Sequence, residues 1–491
     1  MQESVEQSEI IPDEEGIVVL SDRRTHPYIR TRQRKNFDRR KSYRVGTSAS
    51  ALFYGGSEST KGLLRDISET GACVELETER KNQIPFTQME MPFLQNNKIK
   101  FEISWSKNGK DAGRSTNECF GIKFLGLNTT EKIQLRKRFI LSDYVLLSYS
   151  EEVTRKISNL KKRQKIKSFF LLDVKMTLEK LIDMEIMIAD GVSDEIIMEK
   201  CRKVLDALVK AGDNLNSYLN SEAMIKEIKQ RSRALLGHFL FQSNNFKRGF
   251  EKPRGYPGDY KMLEIVYDDQ ELSQGMGKFI DRYGLDVPYS VGIRARKDSM
   301  KDLLYNFINN SNEEHLSIVN LASGGCRDIR EMLKLPLHYK GNAQITCIDQ
   351  DEDAINFSRK KLSALDKGNT RINLIQGNIL KLESLDIGKE NSIDLIYSIG
   401  IADYLQDRML KKIFRGCYNL IKPGGKLIVA YKDKDRHKPI ELDWYADWCF
   451  IPRNEQELIN IIYESMGQEK ISIEVKRVDS GIIFFAEITK L

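Results

Sequence analysis

Several features are scarce in this sequence of 491 residues, and each absence argues against a class of protein. No apolar run reaches the ~20 residues that a membrane-spanning helix needs. The seven cysteines are scattered singly, without a C-x-x-C pair, and the five histidines are equally dispersed. We therefore expect reduced thiols and no metal site, rather than a disulfide framework or a zinc centre.

The first residues, MQESVEQSEIIPDEEG, are acidic and lack the apolar core of a secretory signal. Together with the lack of a membrane helix, this predicts a cytoplasmic protein with no transmembrane segment. Hydrophobic residues make up 40% and charged residues 30% of the chain. That composition is typical of soluble globular proteins, and the length indicates two or three domains.

Positive charge is concentrated near the N-terminus. Residues 3–22 are acidic, whereas residues 23–44, RRTHPYIRTRQRKNFDRRKSYR, are dense in arginine and lysine. Such a block predicts an anionic partner: a nucleic acid, a nucleotide or a lipid surface. Residues 290–491 contain no dense basic patch, which argues against a nucleic acid polymer as the partner of that half.

The pattern of residues changes along the chain and predicts four regions. Residues 1–33 are charged and read as a flexible arm. Residues 34–130 contain the alternating runs SASALFY, GACVELE, IKFEISWS and CFGIKFL, which predict a small β-barrel or sandwich. Residues 130–245 show apolar residues at helical spacing, and residues 131–290 are interpreted as an α-helical connector and substrate region. Within it, residues 246–290 are rich in Gly, Pro and Tyr and are interpreted as a long functional loop.

The fourth region, residues 291–491, alternates strands with helices. This alternation predicts a Rossmann-like α/β domain, in which helices wind around a parallel sheet. Its last two strands, ISIEVKRV and GIIFFAEI, are joined by DSG, so we expect the sheet to end in an antiparallel pair.

Ligands of such sheets bind beyond the carboxyl ends of the strands, at the point where the strand order reverses. The strand SIVNLA runs into a turn of small residues, and QITCID ends in Asp349, where a carboxylate can accept hydrogen bonds from two ribose hydroxyls. The strand INLIQ is followed by Gly377 and Asn378. The residues predicted to bind a nucleoside-containing cofactor are Asn320, Ala322, Ser323, Gly324, Gly325, Asp349, Gly377 and Asn378. The alternative is a plain structural turn.

This arrangement, with NLIKPGGKLIVAYK before the fifth strand, resembles class I S-adenosylmethionine-dependent methyltransferases over about 290–491. The resemblance implies S-adenosylmethionine as the cofactor of these residues, with Asn378 near the adenine. The common family pattern in the first turn is an acidic residue followed by glycines at alternate positions. This chain has Asn320, Ala322, Gly324 and Cys326 there, so only Gly324 matches.

A narrower resemblance covers about 230–491. KPRGYPGDYKMLEIVY, VGIRARKD, IGIADYLQDRML and DWYADWCFIPRNEQEL are similar to methyltransferases that make extracellular factor, the methyl ester of 3-hydroxypalmitic acid. The resemblance implies O-methylation of the carboxylate of a hydroxy fatty acid. A carboxylate is ionised at pH 7 and needs no general base. It needs a cation that orients it and an apolar wall for the acyl chain.

Substrate-site candidates follow from these motifs. Arg294 and Arg296 could orient the carboxylate bidentately, or they could belong to a solvated helix start. GYPGDY supplies a possible lid, or a structural loop. Trp444 and Trp448 could line an acyl pocket or pack in the core. The full candidate set is Tyr256, Asp259, Tyr260, Arg294, Arg296, Asp403 and Tyr404.

Two short motifs in the N-terminal half occur one after the other in the sequence. DRRKSYR contains an RRxxxR pattern and DISETG a DxSxxG pattern, ahead of Trp105 and the strand FGIKFLGL. Together they resemble a PilZ domain, the receptor module for cyclic di-GMP, over about 35–130. The resemblance implies cyclic di-GMP as an allosteric ligand of Arg39, Arg40, Arg44, Asp66, Ser68 and Gly71. Guanidinium groups suit its phosphates and guanines, and a carboxylate can accept from guanine N–H groups. A nonspecific nucleic-acid arm and a PilZ fold that does not bind are the alternatives.

The sequence therefore predicts a methyltransferase that responds to cyclic di-GMP and acts on a small or lipid-like acceptor. One alternative is a cyclic di-GMP receptor whose C-terminal domain is a non-catalytic platform for partner binding. Another is a methyltransferase that acts on RNA or protein.

Overall fold

The computed structural model describes residues 45–46, 50–55, 58–68, 71–76, 86–91, 98–107, 119–139, 141, 143–155, 157–366 and 368–491. The chain divides into two compact units, one ending at Gln242 and the other spanning Ser243–Leu491. Arg39, Arg40 and Arg44 of the RRxxxR motif lie outside the described residues. Within the described part of the chain, no helix is both long and apolar enough to cross a membrane.

The first unit contains an antiparallel barrel. Its strands are β1 Val45–Gly46, β2 Ser50–Gly55, β3 Glu58–Ser68, β4 Gly71–Leu76, β5 Gln88–Glu90, β6 Ile99–Lys107 and β7 Cys119–Leu125. They follow the order β1-β3-β2-β5-β6-β7-β4, and the pairing of β3 with β4 closes six strands into a barrel. Phe53 lies at its centre, with the rings of Phe86, Phe101 and Phe120 edge-on to it at 5.8–6.4 Å.

The β-barrel prediction is confirmed, although only four of the strands had been identified. β3 was missed because its sequence, ESTKGLLRDIS, is largely polar and contains a glycine. Such residues are depleted in strands, and here pairing with both neighbours overrides the local preference.

Helices complete the first unit. They are α1 Thr129–Phe139, α2 Asp143–Thr154, α3 Leu160–Ser168, α4 Lys175–Ala189, α5 Asp194–Leu219 and α6 Glu222–Leu240. A π-helical segment, Phe169–Val174, joins α3 to α4 and buries Phe169 and Phe170. The helical region predicted after the barrel is confirmed.

The second unit is built on a seven-stranded sheet. Its strands are β8 His315–Leu321, β9 Asn342–Asp349, β10 Thr370–Gln376, β11 Ile393–Ser398, β12 Ile421–Lys432, β13 Ile471–Arg477 and β14 Ile483–Lys490. The order is β10-β9-β8-β11-β12-β14-β13, with β8 to β12 parallel and β14 antiparallel to both of its neighbours. The predicted Rossmann-like sheet with a closing antiparallel pair is therefore confirmed. The strand order reverses between β8 and β11, so the carboxyl ends there form the switch point.

Helices cover both faces of this sheet. α11 Arg327–Met332, α12 Glu352–Ser363, α13 Asp407–Leu420, α14 Ile440–Ala446 and α15 Glu455–Met466 lie between the strands in sequence. Short 3₁₀ segments occur at Ile379–Ser384, Ala402–Tyr404 and Gln468–Lys470. All six residues of β11 are buried, as expected of a central strand covered on both sides.

The interpretation of residues 246–290 as one long loop was wrong. The segment before β8 forms α7 Asn244–Glu251, α8 Tyr260–Asp268, α9 Met276–Asp286 and α10 Pro288–Asn309. The first three are only 8–11 residues long, too short for their periodicity to stand out among Gly and Pro. Side chains define their ends: Ser243 Oγ accepts from the Phe246 N–H (3.1 Å), and Asp259 Oδ1 from the Met262 N–H (2.9 Å). The irregular part is confined to the loop 252–259 between α7 and α8.

Candidate active site

The turn after β8 has an alternating backbone conformation. Ala322, Gly324 and Cys326 have φ of 54°, 52° and 50°, in the left-handed region that favours glycine. An L-residue there costs about 1 kcal/mol relative to glycine. The turn therefore keeps the backbone shape of alternating glycines although only one of the three residues is glycine.

Asp349, at the end of β9, holds this turn. Its Oδ2 accepts from the Gly324 N–H (2.8 Å), and its Oδ1 accepts from the Asp351 N–H (2.9 Å). The Asp349 carbonyl also accepts from the Gly377 N–H (2.9 Å), which joins the ends of β9 and β10. Burial raises the pKa of Asp349, while the N–H donors oppose the rise. A carboxylate can accept about four hydrogen bonds, so acceptor capacity remains for a further donor.

Three buried polar atoms around the turn have no hydrogen-bond partner among the described residues. They are Asn320 Oδ1, Ser323 Oγ and Asp351 Oδ2, and Asn320 is only 1% exposed. Buried polar atoms in folded proteins are nearly always hydrogen-bonded. Three such atoms at one edge of the sheet fit a ligand with several hydrogen-bond donors, such as a ribose or an ammonium group.

The remaining predicted cofactor residues lie beside the turn. An added Cβ at Gly377 would approach Leu385 Cδ2 to 2.8 Å, so a larger residue there would force the Leu385 side chain to shift. Asn378 is exposed, and its Oδ1 accepts from the Leu380 N–H (2.9 Å) at the start of the 3₁₀ segment.

Helix α8 braces the turn through ion pairs. Arg330 donates to both carboxylate oxygens of Glu264 (2.9 and 3.1 Å) and to the carbonyl of Gly325 (3.0 Å). Arg327 contacts the same carboxylate at 3.2 Å. An added Cβ at Gly325 would lie 2.8 Å from Glu264 Oε1, which explains the glycine at this position.

The loop 252–259 lies against the carboxyl edge of the sheet. Arg254 pairs with Asp351 Oδ1 (3.1 Å) and also with Asp353, beside the end of β9. An added Cβ at Gly258 would approach the Tyr404 hydroxyl to 2.8 Å and the Trp448 ring to 3.0 Å, beside the end of β11. The loop thus contacts both sides of the switch point, a placement compatible with the predicted lid.

The three lid candidates differ in their surroundings. Tyr260 is buried, with its ring 5.2 Å from Phe357 and its Cβ 3.7 Å from the Cβ position of Gly324. Asp259 is fully buried in a bidentate pair with Arg248 (3.1 and 2.6 Å), so its carboxylate anchors the loop. Tyr256 is half-buried.

Aromatic side chains line the other side of the switch point. Trp448 Nε1 donates to the Tyr404 hydroxyl (2.7 Å), and the Phe450 ring lies 4.7 Å from Tyr289 and 6.1 Å from Trp448. Trp444 is also buried, in α14.

Buried charges lie beside these rings. Asp403 is fully enclosed: its Oδ1 accepts from the Lys432 N–H (3.0 Å), and its Oδ2 lies 3.5 Å from the donating Tyr289 hydroxyl. Burial raises the pKa of Asp403, while the Lys432 N–H and the charge of Arg296 oppose the rise. Burial also lowers the pKa of the Lys432 ammonium.

The two candidate arginines have different environments. Arg296 is 2% exposed and bonds to Tyr267, but its Nε has no hydrogen-bond partner in the described part of the chain. Arg294 instead pairs with Asp269 Oδ1 (3.2 Å) and donates to the Val266 carbonyl (3.4 Å). Only Arg296 therefore offers an unused buried donor.

Lys432 and His437 were not among the sequence candidates. Lys432 is the last residue of the fifth parallel strand, β12, and His437 follows it in AYKDKDRH, at the same carboxyl edge as the other site residues. The rule that located Asp349 would have found them, because it applies to every parallel strand near the switch point.

The DxSxxG motif lies where β3 turns into β4. Asp66 and Ser68 belong to the end of β3, and Ser68 pairs with Gly71 at the start of β4. An added Cβ at Gly71 would overlap the carbonyl oxygen of Ile122, so barrel packing requires this glycine independently of any ligand.

Family comparisons agree with both motif resemblances. A family model described as a methyltransferase domain matches residues 312–475, and a PilZ domain model matches residues 38–141. The chain thus contains a PilZ domain and a methyltransferase domain, and these two predictions are confirmed. The narrower resemblance to the extracellular-factor enzymes stays a prediction.

Individual relatives are distant. Phosphoethanolamine N-methyltransferase of Plasmodium falciparum is 28% identical over 166 residues, which make up 34% of this chain and 55% of that protein. The chain therefore spans about half the length of this curated relative.

Solved structures resemble the chain only weakly. A possible exported protein from Bordetella parapertussis is 14% identical, with a TM-score of 0.37 over 65% of this chain and 95% of that one. Magnesium protoporphyrin IX methyltransferase from Synechocystis with bound SAM is 13% identical, with a TM-score of 0.31 over 42% and 85% of the two chains.

The left-handed turn leads to a stability prediction. Ala322→Gly removes a methyl worth about 0.8 kcal/mol of burial but relieves about 1 kcal/mol of backbone strain, so we expect nearly unchanged stability. Ala343→Gly, in buried β9, has no such compensation and should lower the free energy of unfolding by about 1.5 kcal/mol. Urea unfolding of the full chain, followed by tryptophan fluorescence, measures both. Equal losses of unfolding free energy in both variants would contradict the proposed backbone strain at Ala322.

Proposed function

We propose that the methyltransferase domain transfers the methyl group of S-adenosylmethionine to the carboxylate of a hydroxy fatty acid. We further propose that cyclic di-GMP binding to the PilZ domain controls this transfer. The observation that carries the proposal is the Asp349-held turn at the switch point, with three buried polar atoms that lack protein partners.

The residues around the turn suit the parts of S-adenosylmethionine. Asp349 accepts from the ribose hydroxyls, while Asn320 and the backbone of Ala322 to Gly325 hold the methionine portion. Gly377 and Asn378 flank the adenine. Bound there, S-adenosylmethionine supplies an electrophilic methyl group on a sulfonium.

The acceptor side needs positioning more than acid–base chemistry. A carboxylate is already ionised at pH 7, so the protein has to place its oxygen in line with the methyl group and exclude water. The free Nε of Arg296 is the donor that would orient the carboxylate. Trp448, Phe450 and the loop 252–259 would cover the acceptor and keep water out.

In the PilZ domain, the proposal assigns cyclic di-GMP to Arg39, Arg40 and Arg44 together with Asp66, Ser68 and Gly71. Three guanidinium groups match two phosphates and the guanine edges. The order of the two motifs supports this assignment: RRxxxR precedes the closed barrel in sequence, and DxSxxG lies at its β3–β4 turn.

Loss of the Asp349 carboxylate should abolish binding of S-adenosylmethionine. Asp349→Ala removes both the ribose acceptor and the clamp on Gly324, and each hydrogen bond to a charged group contributes about 1.5–3 kcal/mol. We expect the affinity to fall on the order of 100-fold or more by calorimetry. Asp386→Ala, at an exposed position, is the matched control. Equal binding by both variants would remove Asp349 from the site.

Arg296 and Arg294 form a matched pair for the acceptor. Arg296→Lys keeps the charge but removes the guanidinium fork, so we expect KM for palmitate-type acceptors to rise about tenfold. Arg294→Lys should leave KM within about twofold, because its partners are Asp269 and a carbonyl. Transfer of label from S-adenosylmethionine, analysed by mass spectrometry, gives both values. A larger effect of Arg294→Lys would reverse the assignment.

Cyclic di-GMP binding depends, in this proposal, on the RRxxxR motif itself. Arg40→Ala should weaken binding at least tenfold, since one bidentate guanidinium contact contributes about 1.5–3 kcal/mol. Arg24→Ala lies in the same basic block but outside the motif and should change affinity little. Similar losses in both variants would indicate nonspecific attraction.

Methyl transfer rates with and without saturating cyclic di-GMP then test whether the ligand regulates the enzyme, and equal rates would contradict that regulation.

A further inference from the structure

His437 follows β12 by five residues and presents an unused nitrogen to a buried position. Its side chain is 13% exposed, and its Nε2 lies 3.6 Å from Glu441 Oε1. Its Nδ1 is buried and makes no hydrogen bond with any described residue.

The protonation state of this imidazole follows from its surroundings. Burial, and secondarily the charge of Lys432, lowers the pKa of His437 to about 4. The ring is therefore neutral at pH 7. Nε2 lies beyond hydrogen-bond distance of the Glu441 carboxylate, but the negative charge there favours the tautomer with its proton on Nε2, which leaves the lone pair on Nδ1. A buried acceptor left without a donor is energetically costly, so a ligand donor is expected at this atom.

A role in proton removal fits poorly. A general base works best when its pKa lies near the operating pH, and a pKa of about 4 is well below that range. A carboxylate acceptor also has no proton to remove. The lone pair of Nδ1 is therefore better suited to recognition than to catalysis.

Lys432 narrows the kind of group that this position accepts. Its Nζ donates one hydrogen bond, to the His437 carbonyl (2.9 Å), and an ammonium has three N–H groups. The charge of Lys432 also acts on the His437 ring. A ligand group at Nδ1 would therefore be offered a lone pair by the histidine and N–H donors by the lysine. A hydroxyl satisfies both, because it donates one hydrogen bond and accepts others, whereas a carboxylate can only accept and an ammonium can only donate.

Lys432 places this position next to the proposed acceptor site. Lys432 Nζ lies 5.9 Å from the centre of the Phe450 ring, and its backbone N–H binds Asp403. Phe450 in turn packs on Trp448, beside the Tyr404 hydroxyl and the loop 252–259.

We propose that His437 is the residue that recognises a hydroxyl group of the methyl acceptor: the hydroxyl donates to Nδ1 and accepts from Lys432 Nζ. The inference rests on the proposed function, since it assigns a specificity residue to the same site. The sequence motifs that point to the methyltransferase domain do not include this histidine.

The test compares two acceptors in the full-length protein. 3-Hydroxypalmitic and palmitic acids are assayed for kcat/KM with labelled S-adenosylmethionine, and for Kd by calorimetry with S-adenosylhomocysteine present. Wild type should favour the hydroxy acid at least tenfold in both measurements. His437→Phe should bring the ratio close to one. His437→Asn, whose amide can place a hydrogen-bonding group at the position of Nδ1, should restore part of it. His315→Phe, at an exposed side chain, should keep the wild-type ratio.

The possible outcomes distinguish the proposed methyl transfer from the proposed role of His437 in hydroxyl recognition. The same ratio in wild type and His437→Phe overturns the role of His437 even if methyl transfer occurs. Discrimination in Kd that depends on His437, without methyl transfer, overturns the proposed reaction and supports the hydroxyl contact. Failure of wild type to bind either acid overturns both.

Discussion

The hydrogen bonds of the Asp349 carboxylate are the interaction on which the candidate cofactor site depends. One oxygen holds the Gly324 N–H, the other holds the Asp351 N–H, and the neighbouring carbonyl holds Gly377. These contacts connect the turns after β8, β9 and β10 at the switch point. These contacts also explain how Ala322 and Cys326 can keep left-handed backbone angles, because the surrounding hydrogen bonds hold the turn in that conformation. The strain argues for a turn shaped to hold a ligand, and against a degenerate platform that retains only the fold.

Much of this architecture could be predicted because it follows from periodicity. The strands of the sheet, its closing antiparallel pair and the position of Asp349 all follow from alternation and from the switch-point rule. The short helices α7 to α9 could not be recognised, because their ends are fixed by individual side chains such as Ser243 and Asp259. β3 was missed for the opposite reason: pairing on both edges stabilises a strand whose own residues do not favour one.

The site residues divide along similar lines. Backbone-determined positions such as Gly324 and Gly377 lie where the pattern placed them. Side-chain roles depend on partners that sequence spacing does not show. Arg294 and Arg296 are two residues apart on α10, yet one is paired with Asp269 and the other retains a free buried donor. Asp259 is a lid candidate from its motif, but its carboxylate is paired with Arg248 and anchors the loop.

The proposed reaction suggests a use for the buried polar groups. Transfer to a carboxylate requires neither a base nor a metal, so alignment and exclusion of water account for most of the protein's contribution. In such a site, the unpaired polar groups would decide which methyl-acceptor molecule binds. In the proposed reaction, the unpaired Nε of Arg296 would donate to the group that is methylated, and the unpaired Nδ1 of His437 would accept from a second group. An acceptor that carries a carboxylate and a hydroxyl would satisfy both, and an acceptor with only one of them would leave a buried polar atom unpaired. Selectivity among chemically similar acids would arise from that cost rather than from the methyl transfer itself.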